Sequence, residues 1–333
     1  MPDYVTQVLL AFGVLASLLK VGTDLLAART MTPLTVERKI RAGLPVVRVI
    51  QAYLPFSVAC WLIRQGLRRV QLPGVTREAV SADGVRCEWL VPQNSAHDRV
   101  LLYLHGGGFV FGLTPPHLKM VAYLAQQMGV RALLVDYCLA PRHPFPAPLD
   151  DCVAVYRWLG SQGIAAQDTV IAGDSAGGNL AIASLMTLRD RGEPLPAAAA
   201  CLSPVADLSG EGGAAPGLED PLLHPRAMRR YTEAYVARHD PRDPLVSPVF
   251  GDWRDLPPLL VHAGEDEMLR DDATRIAALA QAAGVDVRLE IYPRMWHVWQ
   301  LNLALPQAIH ALDDIAGFLG SHLGLGTRQP SSN

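Results

Sequence analysis

Thr169-Val170-Ile171-Ala172-Gly173-Asp174-Ser175-Ala176-Gly177-Gly178-Asn179-Leu180-Ala181-Ile182-Ala183 is the stretch whose reading decides the fold of this chain. The β-branched run at its start reads as a strand and the apolar run from Asn179 as a helix, so Gly173-Asp174-Ser175-Ala176-Gly177 sits where one turns into the other. A serine on so tight a turn has its hydroxyl lifted clear of both elements, and small flanking residues let strand and helix close behind it. The pattern is that of a nucleophile elbow. With 28 glycines in 333 residues, a G-x-S-x-G match arises by chance often enough that its surroundings must decide.

Upstream, the buried-strand run Val100-Leu101-Leu102-Tyr103-Leu104 is followed at once by His105-Gly106-Gly107-Gly108. Consecutive glycines let main-chain N–H groups approach a substrate with no side chain in the way, and the helix entered at Ser175 adds the Ala176 N–H at its positive end. Gly107, Gly108 and Ala176 are therefore the expected oxyanion hole.

Ser175 needs a base, and the base an orienting acid, in the chain order Ser, Asp, His. The run Pro258 to Gly264 reads as a buried strand ending in Glu265-Asp266-Glu267, and Val287 to Tyr292 as a further strand followed by Met295-Trp296-His297. His297 is the base candidate. His105 belongs to the glycine loop, His117 and His143 lie beside prolines, His262 is inside a strand, and His310 lies in the terminal helix. Asp271 and Asp272 open a helix, where carboxylates cap and complement the dipole. That leaves residues 265 to 267 for the acid, with Asp266 favoured.

These motifs make the chain resemble the hormone-sensitive-lipase-like branch of the α/β-hydrolases, the bacterial esterases with an HGGG loop and a GDSAG elbow. The likeness extends to Asp136-Tyr137-Cys138-Leu139-Ala140-Pro141-Arg142-His143-Pro144-Phe145-Pro146-Ala147, to Ser203-Pro204 with Asp207-Leu208-Ser209, to Asp220-Pro221-Leu222-Leu223, to Ser247-Pro248 and to Gly264-Glu265-Asp266-Glu267. Cys138 and Arg142 depart from it, standing where the family has arginine and glutamate, so a salt bridge of the family is expected to be absent or differently paired. The resemblance puts the triad acid on Asp266. It implies a serine carboxylesterase with Ser175, Asp266 and His297 as triad, acting on esters of short to medium acyl chains, with no metal or organic cofactor. An amidase or deacetylase and an interfacial lipase share that triad; His297 argues against a non-catalytic small-molecule-binding module of the same fold.

Composition agrees. Half of the residues are hydrophobic, enough to bury a large core, and the length exceeds one catalytic domain by roughly a small cap. A formal net charge of -3, with no Lys/Arg block interleaved with aromatics, argues against a nucleic-acid partner. The five cysteines are scattered and include no C-x-x-C pair, which disfavours metal and disulfide scaffolds and suits free thiols in a reducing cytoplasm. The expected partner is a small-molecule ester; a homodimer is compatible with the chain.

Apolar runs near Val100, Leu133, Val170, Ala198, Leu259 and Leu289 alternate with helical segments at about 118 to 128, 150 to 162, 176 to 191, 272 to 283 and 307 to 322. This predicts an α/β fold with a mostly parallel central sheet covered on both faces, here the α/β-hydrolase fold, plus a helical cap. Strands at about 77 to 82 and 86 to 91, joined across Asp83-Gly84, predict a hairpin at its edge. Residues 73 to 204 and 248 to 325 form the expected catalytic domain, residues 1 to 72 and 205 to 247 the two cap segments, and residues 326 to 333 a disordered tail.

Within the second cap segment Pro225 opens an amphipathic helix with Met228, Tyr231 and Tyr235 at i, i+3 and i+7. Those three residues are the expected acyl-pocket lining, with plain packing between cap and core as the other reading. In the first segment the apolar run Val5 to Leu19 is short for a membrane span, and no basic residue before it or small-residue site after it suggests a secretory signal. The stretch with Trp61, Leu62, Ile63, Arg64, Leu67, Arg68 and Arg69 is basic and amphipathic enough to lie on a membrane surface. Packing as cap and peripheral membrane contact both remain open for it.

Overall fold

The computed structural model of the protein describes residues 32–67, 70–212 and 219–325. The run Val5 to Leu19, the pair Arg68-Arg69 and the tail from 326 lie outside the described residues. Along the chain come α1 (Pro33–Tyr53), α2 (Phe56–Leu67), β1 (Val75–Ala82), β2 (Val85–Pro92), β3 (Ala96–Leu104), α3 (Pro115–Met128), β4 (Val130–Val135), α4 (Ala147–Ser161), β5 (Thr169–Asp174) and α5 (Ala176–Asp190). Then follow β6 (Ala199–Leu202), α6 (Pro225–Val236), β7 (Leu259–Gly264), α7 (Arg270–Ala282), β8 (Val287–Tyr292) and α8 (Pro306–His322).

The strands form one sheet in the order β1-β2-β4-β3-β5-β6-β7-β8. It is parallel from β4 to β8, and β1 and β2 run antiparallel at one edge. The edge hairpin turns where expected: Asp83 and Gly84 both have positive φ, at 51° and 86°, the two-residue turn whose twist matches that of its strands. Side chains of successive strand residues point to opposite faces, and the core divides accordingly. Val100, Leu102 and Leu104 of β3 join one buried cluster with residues of α4 and α5, while Leu101 and Tyr103 join another with residues of α3 and α8. A sheet covered on both faces needs the near-continuous apolar runs by which its strands are recognised.

Register then sets the site. Leu104 pairs with Gly173, Asp174 with Leu202 and Gly264 with Tyr292, so β3, β5, β6, β7 and β8 end at the same edge and their following loops emerge side by side. Above that edge lie described parts of the two segments outside the alternation. Val36, Ile40 and Leu44, one face of α1, pack on Met295, Trp296 and Trp299. Arg230 of α6 donates to the carbonyls of Gln51, Ala52 and Leu54, capping the C-terminus of α1 and tying the two segments together.

Of the described glycines Gly177 is the most tightly enclosed: an added Cβ would fall 2.0 Å from the Leu104 carbonyl oxygen and 2.6 Å from that of His105. Helix propensity favours alanine over glycine by about 1 kcal/mol, so the two effects oppose each other, and a contact with rigid backbone is the larger. Gly177→Ala should lower Tm by several degrees; a Tm at or above that of the parent would show that the spacing of β3 and α5 is slack.

Candidate active site

Ser175 follows β5 and is the N-cap of α5 with φ 52° and ψ -118°, a conformation that strains a non-glycine residue and that the surrounding packing must enforce. Its N–H is held by the Leu202 carbonyl at 2.8 Å. Its Oγ lies 2.9 Å from Nε2 of His297, and Nδ1 of His297 lies 3.2 Å from Oε2 of Glu267. The chain of contacts defines a tautomer: Nδ1–H donates to the carboxylate and Nε2 accepts from the serine hydroxyl. Glu267 is fully buried and His297 nearly so.

The acid at the histidine is thus Glu267, and Asp266 does not occupy the place expected of it. The three carboxylates after β7 fan out. Glu265 accepts the Arg294 N–H at 2.9 Å, Asp266 turns away to an ion pair with Arg41 of α1, and Glu267 turns inward. The phase of this turn is set from outside it. The Asp266 N–H donates to the Met295 carbonyl, and Oδ2 of buried Asp220 accepts the Met268 N–H at 2.9 Å while its Oδ1 accepts those of Leu222 and Leu223. Gly264 lets the turn abut the histidine loop, since a Cβ there would stand 2.3 Å from the Met295 carbonyl oxygen.

Burial by itself would lower the pKa of His297, but the hydrogen bond and charge of Glu267, helped by Asp220 and Asp174, outweigh it and hold the imidazole above its ordinary value. Two other buried histidines, His105 and His262, behave oppositely. Burial brings His105 down to about 4 despite its bond to the Gly106 carbonyl, and it stacks on Tyr137 at 4.2 Å. Burial also lowers His262, whose Nε2 lies 3.0 Å from Asp314.

The glycine loop is pinned to the elbow by Asp174, a residue that sequence reading passed over. Its buried Oδ1 accepts the Gly106 N–H at 3.0 Å and the Tyr103 hydroxyl at 2.7 Å, and Oδ2 accepts from His117 at 3.2 Å. Burial opposes ionisation of Asp174, yet the charge and hydrogen bond of His117, with those from Tyr103 and Gly106, hold its carboxyl below the usual range. Its place inside the elbow motif was the one signal available. Beyond it Gly107 and Gly108 turn with φ 125° and 59°, and among the described residues no acceptor meets the N–H groups of Gly107, Gly108 or Ala176.

Of the α6 stripe, Tyr231 lies on the glycine loop: a Cβ on Gly108 would be 2.5 Å from its ring. It meets Phe111 edge-on and Phe56 of α2 at a tilt. Tyr235 is fully enclosed, stacked on Phe109 at 3.6 Å and edge-on to Phe145. Met228 is half-buried against the same core. The two departures from the family pattern sit apart from these groups: the Cys138 N–H donates to Asp151 at 2.8 Å, and Arg142 is exposed. Cys87, Cys138, Cys152 and Cys201 are free thiols, and among the described residues no three His, Cys, Asp or Glu side chains converge as metal ligands.

Comparison with known proteins places the chain in a family. A sequence profile of the α/β-hydrolase fold matches residues 101–301. The chain is 41% identical over 254 residues to an acetyl-hydrolase of Streptomyces hygroscopicus, covering 75% of this chain and 85% of that protein. It is 37% identical over 255 residues to an esterase of Acinetobacter venetianus, covering 75% and 84%. A crystal structure of an esterase from the bacterial hormone-sensitive lipase family superimposes with a TM-score of 0.78 at 38% identity, over 85% of this chain and 98% of that one. The chain belongs to the α/β-hydrolase fold family. Within it, its place is the hormone-sensitive-lipase-like branch.

The two carboxylates can be told apart without a substrate. In an NMR titration Glu267→Gln should bring the His297 pKa down, because burial then acts with its main opponent removed, whereas Asp266→Asn should leave it in place. The reverse pattern would return the orienting role to Asp266.

Proposed function

We propose that the protein is a serine carboxylesterase that hydrolyses esters of short to medium acyl chains through an acyl-enzyme on Ser175. The observation that carries this reading is the hydrogen-bonded series Ser175, His297, Glu267 beside backbone N–H groups that meet no acceptor among the described residues. As the Ser175 oxygen bonds to the ester carbonyl carbon, its proton passes to Nε2 of His297, and Glu267 stabilises the imidazolium formed. The carbonyl π electrons move onto oxygen, and the N–H groups of Gly107, Gly108 and Ala176 receive that charge. Collapse breaks the bond to the alcohol, which leaves with the proton from His297. Water then attacks the acyl-serine, giving its proton to His297, and the second collapse releases the carboxylic acid and returns the proton to Ser175. Met228 and Tyr231 bound the acyl chain in this reading, and Tyr235 supports them from behind. Names such as acetyl-hydrolase among the relatives support a small acyl group.

Ser175→Ala should cost on the order of a thousandfold or more in kcat and abolish labelling by a fluorophosphonate. Glu267→Gln should lose far more activity than Asp266→Asn or Glu265→Gln, up to roughly 10⁴-fold, the cost of a wrong tautomer. Persistent labelling of Ser175→Ala would place the nucleophile elsewhere, and turnover of matched anilides above esters would make the enzyme an amidase.

The two tyrosines should separate. Tyr231→Ala should shift the ratio of hexanoyl to acetyl kcat/KM about tenfold or more, because a methylene in an apolar pocket is worth roughly 1 to 3 kcal/mol. Tyr235→Ala should lower Tm through cavity formation and scale all substrates alike. Parallel chain-length profiles for Tyr231→Ala and the parent would remove Tyr231 from the pocket.

A further inference from the structure

Seven large apolar residues are strongly exposed among the described residues, and six of them lie on α1 and α2. Leu34, Val46, Val49 and Tyr53 line one face of α1 at helical spacing, and Val58 and Trp61 stand on α2; Tyr53 and Trp61 are 55% and 60% exposed. This face is opposite the one that α1 buries against Met295, Trp296 and Trp299. Of the α2 residues that sequence reading assigned to a surface, Leu62, Ile63 and Leu67 are half-buried, so the exposed face runs instead through Trp61 and along α1.

The exposed, unpaired charge carried by α1 is basic. The single acid of α1 and α2, Glu37, is buried and paired with Arg294, and Arg41 and Arg48 are spent on Asp266 and on the Leu223 carbonyl. Arg38 and Lys39 remain exposed beside Leu34, and α6 adds exposed Arg226 and Arg229 at its start, with the Arg226 guanidinium 4.8 Å from the Tyr53 ring centroid. The one acid of α6, exposed Glu233, lies two turns beyond Arg226 and one turn beyond Arg229. A chain of formal net charge -3 thus sets exposed basic residues beside the main exposed apolar face of its described residues.

We propose that the outer face of α1 and α2 docks the enzyme on an anionic lipid bilayer. The valines and Leu34 enter the acyl boundary, Tyr53 and Trp61 sit at headgroup level, and Arg38, Lys39, Arg226 and Arg229 meet lipid phosphates. The inner faces of the same helices border the site, α1 against the His297 loop and Phe56 of α2 against Tyr231. The docked helices are therefore the ones that wall the site, so docking would bring the Ser175 site close to esters dissolved in the bilayer. The proposal rests on the helix surface and stands apart from the reading of the chemistry.

Flotation of the full chain with phosphatidylcholine vesicles, with and without phosphatidylglycerol, tests it. The parent should float with the anionic vesicles, less so as salt is added. Arg38→Gln with Lys39→Gln should weaken partitioning on the order of thirtyfold, taking each basic residue as worth about fivefold near an anionic surface. Val49→Asp with Trp61→Asp should not float, while keeping the parent's Tm and its kcat/KM on a soluble acetyl ester. Failure of the parent to float overturns the proposal, as does undiminished flotation of the Val49→Asp, Trp61→Asp variant, which would put the lipid contact elsewhere in the chain. A parent oligomer that this variant dissolves would assign the face to a second copy instead. Loss of ester hydrolysis with flotation intact would count against the esterase reading alone.

Discussion

The contact of β3 with the first turn of α5 governs the geometry around Ser175. Leu104 and His105 carbonyls press on Gly177, and Gly173 in turn meets the Gly177 carbonyl, so strand, elbow and helix pass with no room for a side chain. That spacing forces Ser175 into its positive-φ turn and delivers the glycine loop beside it. The strain at one residue is sustained because hydrogen bonds of the neighbouring strand and burial of α5 over-determine the backbone there.

Charge organises the next layer, and it does so with carboxylates that are nearly all buried. Asp174 gathers Tyr103, His117 and the Gly106 N–H beneath the glycine loop, Asp220 gathers three backbone N–H groups beneath the acid turn, and Glu267 faces His297. Each joins segments far apart in sequence. A buried carboxylate left short of donors is expensive, so these partnerships hold their loops in single positions. Asp220 has a further consequence: it anchors the segment leading into α6 to the turn that carries Glu267, so the helices above the site and the orienting acid are mechanically linked.

Helices α1 and α6 show how one element serves two environments. The inner face of α1 completes a small core with Trp296 and Trp299 around the His297 loop, and Arg230 of α6 satisfies the carbonyls at its C-terminus. Of the helices described, none is long and apolar enough to cross a membrane. The apolar outer face of α1 has no partner within the described residues, and that is what distinguishes it from the amphipathic helices packed on the sheet.

The local sequence determined the architecture and two of the three groups in the hydrogen-bonded series. Strands buried on both faces must be continuously apolar, helices that cover them must carry one apolar stripe, and a serine flanked by glycines between such elements has few conformations open to it; hence the sheet, the helices, the edge hairpin, Ser175 and His297 were legible. The acid was not. Glu265, Asp266 and Glu267 are adjacent carboxylates in a turn, and nothing within that turn tells which one faces inward. The choice is made by Arg41, which draws Asp266 outward, and by the Met295 carbonyl and Asp220, which fix the turn's backbone. The same holds for Tyr231 and Tyr235, which share a helical stripe but meet different neighbours, and for Asp174 and His117, whose pairing spans 57 residues of chain. Periodicity records which side of an element is buried; only the assembled fold decides what each buried group meets there, because those partners come from elements distant in sequence.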